Sequence, residues 1–312
     1  MKKVIYKAFG GLDVLELIDA SIPAVGPREV LVRVKAAGIN PVDWKMREGQ
    51  VKLLTGWRMP QGLGIEFSGI VEKVGRLVTA YAVGDEVFGA AKDCLSEYVV
   101  ATEGKIAKKP APISFQVAAT LAAVGTTAAS LFERAAIGQG TEVLVNGATG
   151  GIGMFACQLA VQKGAQVTAV VSAKGVELVK RWGIQNIVDY RKSNILDMKR
   201  LFDVVVEVSD KLSFAQGRKL LKPHGTYIAS LPNPVEILSG FVSNLYSKQK
   251  YALMGMQART DVLASLADEV ASGRVEVVIG QTFPLAAFRD AYTQTAAGRF
   301  VGKVVFTMGE SS

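Results

Sequence analysis

Between residues 142 and 229 the apolar pattern keeps changing its period, and this alternation restricts the fold more than any other feature of the chain. Short, largely β-branched runs (142–145, 166–171, 187–190, 203–208, 226–229) alternate with stretches of helical spacing (152–162, 175–182, 195–201, 213–221). Strands separated by helices do not form hairpins. They pair in parallel, with crossover helices packed on the sheet. The expected class is α/β, a doubly wound parallel sheet of the Rossmann kind.

The first third reads differently. KVIYKAF, VLELIDA, EVLVRVKAAGI, SGIVEKVG, DEVFGA and LSEYVVA are short runs bounded by turn residues, with period-two alternation clearest over residues 30–35. They predict a small, mostly antiparallel β-rich domain. The alanine-rich stretch 117–136 predicts one helix. Beyond Pro232 the pattern loosens, leaving a helix over 258–273, strands in VEVVIGQTFPL and GKVVFTM, and a helix over 286–295. The length of 312 residues suits about two domains. The economical division is 1–118 with 252–312 as one domain and 119–251 as the other.

Several function classes recede on composition. No uninterrupted apolar run reaches the ~20 residues of a membrane span; the longest, 118–132, is broken by Thr120, Gly125, Thr126, Thr127 and Ser130. The start, MKKVIYKAFGG, carries bases but no apolar core of a signal peptide, so a cytoplasmic location is expected. Cys94 and Cys157 are far apart in sequence and read as buried free thiols. The net charge of +8 favours anionic partners, and residues 174–200 hold half of it, with seven basic side chains against three acidic ones. No block of Lys and Arg alone occurs, and aromatics do not alternate with the bases, so a nucleic-acid surface is not indicated.

VLVNGATGGIG sets Gly147, Gly150 and Gly153 three residues apart, between an apolar run and a helix. A helix start offers unpaired N–H groups and a partial positive charge, and glycines let a diphosphate approach the backbone. Gly147, Gly150, Gly151 and Ile152 are thus candidates for the phosphates of a dinucleotide. A cofactor without a 2′-phosphate meets an acid about 20 residues after such a turn, but residues 154–176 contain neither Asp nor Glu. Ser172 and Lys174 follow the next strand; Tyr190 and Arg191 end the one after it. A hydroxyl, two cations and a phenol suit a phosphate monoester, so NADPH is favoured over NADH.

GINPVDWK (38–45), GIEFSGIVEKVG (64–75), AAVGTTAAS (122–130), NGATGGIG (146–153) and GKVVF (302–306) stand in an order that resembles the medium-chain dehydrogenase/reductase superfamily, over essentially the whole chain. The zinc-free quinone oxidoreductase branch fits best. The resemblance implies a GroES-like β-domain beside a Rossmann domain, with the active site in the cleft between them. It also implies a homodimer as the common assembly. Zinc-dependent members carry Cys where Asn40 stands, His where Ile65 stands, and Cys or Asp near Ala123; these residues do not form a zinc site. His224, the only histidine, reads as a surface turn residue.

Without a Lewis acid, hydride transfer needs an acceptor that is already electrophilic. The implied partner is a small hydrophobic quinone or enone. By resemblance, Asn40 lies near the nicotinamide and ribose, Asp43 holds a shared acidic position, and Lys45 supplies a cation near the acceptor oxygen. Those three are the catalytic candidates. Glu66 is expected in structural pairing. Thr127, Ser230 and Leu231 are expected to contact the cofactor, with Asn40 and with Lys303 of the closing Gly-Lys pair. Trp57, Arg58 and Met59, and Phe241, Leu245 and Tyr246, are candidate apolar walls. The alternative from another class is a dinucleotide-responsive binding protein, possibly RNA-binding, with little turnover.

Overall fold

The computed structural model describes residues 1–230 and 233–309. The chain divides into two compact units, Met1–Thr126 with Gln257–Ser312, and Thr127–Met256.

The second unit is built on six parallel strands in the spatial order Asn186–Asp189, Gln166–Val171, Glu142–Asn146, Phe202–Glu207, Leu221–Ala229, Lys250–Leu253. In chain order this is third, second, first, fourth, fifth, sixth, the doubly wound arrangement that the alternating periods predict. The sixth strand, and the helix Pro234–Ser243 before it, fall where the sequence pattern loosens. That helix starts on local chemistry instead: Asn233 Oδ1 accepts from Glu236 N at 2.9 Å and Pro234 takes the first helical position.

Two expected helices shorten. Residues 195–201 keep only the 3₁₀ turn Ile195–Asp197, because Asn194 Oδ1 takes Leu196 N in a local turn and Arg200 reaches Glu142 at 2.6 Å. Residues 213–221 become a helix over Phe214–Gly217 and a 3₁₀ turn over Arg218–Leu220, and the next strand starts at Leu221. The helix Gly151–Gln162 follows the glycine turn as expected. It is enclosed nearly all round, burying Met154, Cys157 and Gln158 as well as Phe155, Ala156 and Ala160, while Ile152 and Leu159 are only half-buried.

In the first unit the strand Glu29–Gly38 is the spine. It pairs antiparallel with Lys303–Thr307, Glu66–Val74 and Tyr98–Thr102, and Ile279–Pro284 extends the sheet in parallel beyond Lys303–Thr307. Val30, Val32 and Val34 point into the core with Phe67 and Phe306, and Arg33 and Lys35 are half-exposed, as the alternation predicts. A small sheet adds Leu15–Asp19, Lys2–Tyr6 and Gln61–Gly62.

The stretch expected as one helix over 117–136 is a broken run, Phe115–Arg134, with a π-turn over Leu121–Gly125. Hydroxyls take its carbonyls: Thr120 bonds Val117 O, Thr126 bonds Ala122 O and Ser130 bonds Thr127 O. A carboxylate takes one of its amides, since Ala123 N donates to Glu66 Oε2 at 2.7 Å. Each of these bonds competes with the regular ladder. At 20 residues the run is long and apolar enough to cross a membrane by length and composition only, and 72% of its apolar window is buried inside the protein, as in the core helix of a globular unit.

Phe214, Tyr227 and Tyr251 form the aromatic heart of the second unit, with ring centroids 4.9–6.0 Å apart. A Cβ on Gly217 would lie 2.3 Å from Tyr227 Cε2, and Tyr227 is fully buried. Gly217→Ala is therefore expected to destabilise the protein by about 1–3 kcal/mol. Urea denaturation measures it, and an unchanged midpoint would show that the ring can move aside.

Candidate active site

The glycine turn is a close-packed device. Gly147 has φ +92°, a conformation that side chains resist, and Gly150 N closes the turn on Gly147 O at 3.0 Å. A Cβ on Gly153 would fall 2.1 Å from Gly147 O, so the helix approaches the turn only through glycine. Around Gly150, the residue before the helix, a Cβ would meet only Gly147 O, at 3.3 Å. The space beyond it stays open above the start of a 12-residue helix. These residues fit a diphosphate.

One side of this turn carries the residues expected at a phosphate monoester. Thr149 packs on the segment after Val171: a Cβ on Gly175 would meet Thr149 Cγ2 at 2.7 Å. Ser172 starts that segment, half-buried, and Lys174 is exposed on it. Tyr190 N donates to Val171 O across neighbouring strands, so Tyr190 and Arg191 emerge beside Ser172, both exposed, with the guanidinium 6.0 Å from the Tyr190 ring centre. The nearby acid, Asp189, accepts from Arg191 N at 3.1 Å.

The other side holds a group that the sequence reading missed. Asn146 and Glu207 end adjacent strands and are register partners. Asn146 Nδ2 donates to Glu207 Oε2 at 2.6 Å and to Ser209 Oγ at 3.0 Å. Glu207 Oε1 accepts from Ser209 N at 2.7 Å and Ser209 Oγ at 2.8 Å. Burial pushes the Glu207 carboxyl above its ordinary value against the pull of these donors. One signal was available in the sequence: an acid closing the otherwise apolar run Val204–Val206, which is costly unless it is bonded. Ser230 N donates to Glu207 O at 3.2 Å, and Leu231 lies outside the described residues. Thr127 is buried, and its carbonyl accepts from Ser130.

In the first unit the structure gathers Asn40, Asp43 and Lys303 around Glu66, all buried. Lys303 Nζ donates to Ile39 O at 2.8 Å, Asn40 Oδ1 at 2.8 Å and Glu66 Oε1 at 2.9 Å. Glu66 also accepts from Asn40 Nδ2 at 2.8 Å and from Ala123 N. Asn40 N donates to Asp43 Oδ2 at 2.9 Å, which fixes the start of the helix Pro41–Arg47. Lys45 is half-buried in the last turn of that helix. Lys303, expected against the cofactor, thus has its ammonium engaged by three oxygens of its own unit. A fixed ammonium among these oxygens repels a divalent cation, and among the described residues no three His, Cys, Asp or Glu side chains group to hold one. The donor set does not fit a catalytic zinc. His224 is exposed.

Of the candidate walls, Trp57 is largely exposed with Lys52 over its ring, and Phe241, Leu245 and Tyr246 are exposed on and just after the helix Pro234–Ser243.

A Rossmann unit with a glycine turn for a diphosphate, joined in one chain to a β-rich unit, defines a nucleotide-dependent dehydrogenase or reductase. Residues 26–111 match the family described as alcohol dehydrogenase GroES-like domain, and residues 182–306 the one described as zinc-binding dehydrogenase. The chain is 33% identical to a quinone oxidoreductase of Pseudomonas aeruginosa, covering 97% of this chain and 98% of the relative. It is 32% identical to an NADPH-dependent alkenal/one oxidoreductase, chloroplastic, of Arabidopsis thaliana, covering 98% and 79%. A solved quinone oxidoreductase from Coxiella burnetii superimposes with a TM-score of 0.90 at 29% identity, covering 98% of this chain and 99% of that one. The chain belongs to the medium-chain dehydrogenase/reductase superfamily, in its quinone oxidoreductase branch.

Asp43 supplies a test of the buried network. Burial raises its carboxyl to about 7, with the Asn40 N–H and then the Lys303 charge opposing. The Tyr292 hydroxyl beside the carboxyl also opposes the rise, more weakly. The native state keeps the proton up to about 7, whereas the unfolded state loses it near 3.9, so native Asp43 binds more protons in between. Its contribution to stability is full below that window and is lost as pH rises through it. Wild type is expected to lose stability relative to Asp43→Asn between about pH 5 and pH 7, by up to roughly 1.4 kcal/mol per pH unit. Parallel urea midpoints at the two pH values would refute this.

Proposed function

We propose that the protein is a zinc-independent, NADPH-dependent reductase that delivers hydride to a quinone or to the C=C bond of an α,β-unsaturated carbonyl. The observation that carries this reading is the packing of the segment from Ser172 to Gly175 on the glycine turn, with Tyr190 and Arg191 alongside, which supports assigning Lys174 to the adenosine end of a dinucleotide. A lysine there selects for a 2′-phosphate. The relatives' names, quinone oxidoreductase and alkenal/one oxidoreductase, support both acceptor classes.

When bound, NADPH supplies the hydride, which carries two electrons to the acceptor; one further proton from solvent completes the product. The remaining work belongs to the chain. Gly147, Gly150, Gly151 and Ile152 hold the diphosphate through backbone N–H groups and the helix start. Ser172, Lys174, Tyr190 and Arg191 hold the monoester. Lys45 is the cation for the negative charge that develops on the acceptor oxygen. Asp43 and Asn40 act through the helix start that carries Lys45. Zinc-independence is supported by the ammonium of Lys303 beside Asn40 and Glu66. The reading includes the cytoplasmic location expected from the sequence, with Phe115–Arg134 packed inside the protein. It also includes a homodimer, supported by the exposed Val235, Leu238, Val242 and Leu245 close in sequence to the sheet-edge strand Lys250–Leu253. The alternative of a dinucleotide-responsive binding protein, possibly RNA-binding, with little turnover finds no support among these relatives.

The test follows the loss of NADPH or NADH absorbance against benzoquinone, phenanthrenequinone and a short-chain alkenal, with and without EDTA. NADPH oxidation that EDTA leaves intact is expected, with NADH slower. No oxidation with any acceptor overturns the activity, equal use of NADH overturns the cofactor assignment, and loss with EDTA overturns zinc-independence. Lys174→Ala is expected to raise KM for NADPH by about 1.5–3 kcal/mol in free-energy terms, with less effect on NADH. Equal effects would mean that Lys174 does not touch the 2′-phosphate.

A further inference from the structure

We propose that Glu207 is a positioning residue for the nicotinamide half of the bound dinucleotide, clamping the turn that follows its strand against the glycine turn. The inference rests on the reading that this unit binds NADPH.

The sheet order changes direction between Glu142–Asn146 and Phe202–Glu207. Loops leaving these two strands turn to opposite sides, and a crevice opens between their carboxyl ends. The glycine turn follows one strand and the turn Val208–Lys211 follows the other. Ser172 and Tyr190 lie across the sheet on the far side of the glycine turn, at the adenosine end. A ligand that spans the turn from that end must therefore run toward Ser209.

The two loops touch. A Cβ on Gly147 would stand 3.2 Å from Ser209 Cβ and 3.3 Å from Ser209 N, so the crevice floor is set at van der Waals contact. Glu207 fixes that contact with both carboxylate oxygens: Oε2 holds Asn146, the residue before Gly147, and Oε1 holds the backbone and hydroxyl of Ser209, with Lys211 N at 3.4 Å. The turn it shapes includes Asp210 at φ +59°, a conformation that needs outside support. Val208 N donates to Asn146 O at 3.1 Å, so the two loops share backbone as well as side-chain bonds. Every polar contact that the structure gives the carboxylate is to one of these loops; Glu207 itself is buried and its partner Ser209 half-buried. Its function is therefore to set loop geometry, and it does not itself touch the ligand.

Binding of two probes separates the roles. NADPH spans the crevice, whereas adenosine 2′,5′-bisphosphate occupies only the adenosine end. Kd for each is measured by fluorescence titration or calorimetry on wild type, Glu207→Ala and Ser209→Ala, with the melting temperature of each free protein and KM and kcat for NADPH. Wild type binding neither probe would overturn the NADPH reading itself. If wild type binds both, Glu207→Ala is expected to weaken NADPH about tenfold or more, a loss typical of one buried, charge-assisted contact, while leaving the bisphosphate within about twofold. KM should rise more than kcat falls, and Glu207→Asp should recover part of the affinity. A purely structural role would lower the melting temperature and leave both Kd values unchanged, overturning the proposal; equal weakening of the two probes would overturn it as well. If Glu207→Ala does not fold, Ser209→Ala decides by the same comparison: selective weakening of NADPH upholds the clamp, and unchanged affinity for NADPH sinks it.

Discussion

A lysine ammonium with almost no access to water is what the first unit is organised around. Lys303 Nζ is surrounded by Ile39 O, Asn40 Oδ1 and Glu66 Oε1. An ammonium moved into such an interior costs several kcal/mol unless its charge is met and its protons are bonded. Here all three protons find acceptors and one acceptor is a carboxylate. Glu66 is equally satisfied, with Lys303, Asn40 Nδ2 and Ala123 N as donors. The result ties four distant stretches together: the end of the strand Glu29–Gly38 and the helix after it, the strand Glu66–Val74, the π-turn Leu121–Gly125 and the final strand Lys303–Thr307. Take away either charge and the other is stranded, so these pieces stand or fall together.

The second unit repeats the device in another form. Glu207, like Glu66, is a buried glutamate at one end of a strand, and both its oxygens accept from backbone and side-chain donors. In both units a carboxylate holds a loop or turn that regular secondary structure would not hold: the π-turn at Ala123 in one, the turn after Glu207 in the other. Backbone that leaves the regular ladder needs other groups to fix its geometry. A buried acid does this well, because one group accepts several short bonds, and loss of any of them leaves charge unsatisfied.

Much of this was legible in the sequence, and for clear reasons. The parallel sheet followed from the change of period between 142 and 229, because period reports burial directly. The glycine turn followed from spacing between a strand and a helix, and the structure places Ser172, Lys174, Tyr190 and Arg191 on one side of it. What escaped were contacts between residues far apart in the chain. Lys303 read as a cleft residue because nothing local tells a solvated strand lysine from one that meets Glu66. Glu207 read as nothing, since its partners Asn146 and Ser209 join it only once strands pair. The break in the helical run 115–134 escaped for the same reason: its alanines favour helix, and the carboxylate that takes Ala123 N comes from residue 66. The helix Pro234–Ser243 was hidden because Val235, Leu238 and Val242 sit on its exposed side, which blurs the usual inward stripe.

The same ammonium bears on which acceptors the protein can serve. A metal ion polarises a carbonyl by taking a lone pair into an open position. Lys303 has no open position, since each of its protons is already given to an oxygen of its own unit, and Glu66 offsets its charge at 2.9 Å. Such a group holds neighbouring residues in place and does little to activate a bound carbonyl. On the proposed reading, the driving force for accepting hydride must then come mostly from the acceptor itself, through conjugation that spreads the incoming charge onto an oxygen. Quinones and conjugated enones have that property and simple ketones do not. On that reading the protein's own share is smaller and local: Lys45, in the last turn of a short helix whose start is set by Asn40 and Asp43, is the cation proposed to meet the charge on the acceptor oxygen. A buried lysine–glutamate pair in the fold and a preference for conjugated acceptors would then be two expressions of one constraint.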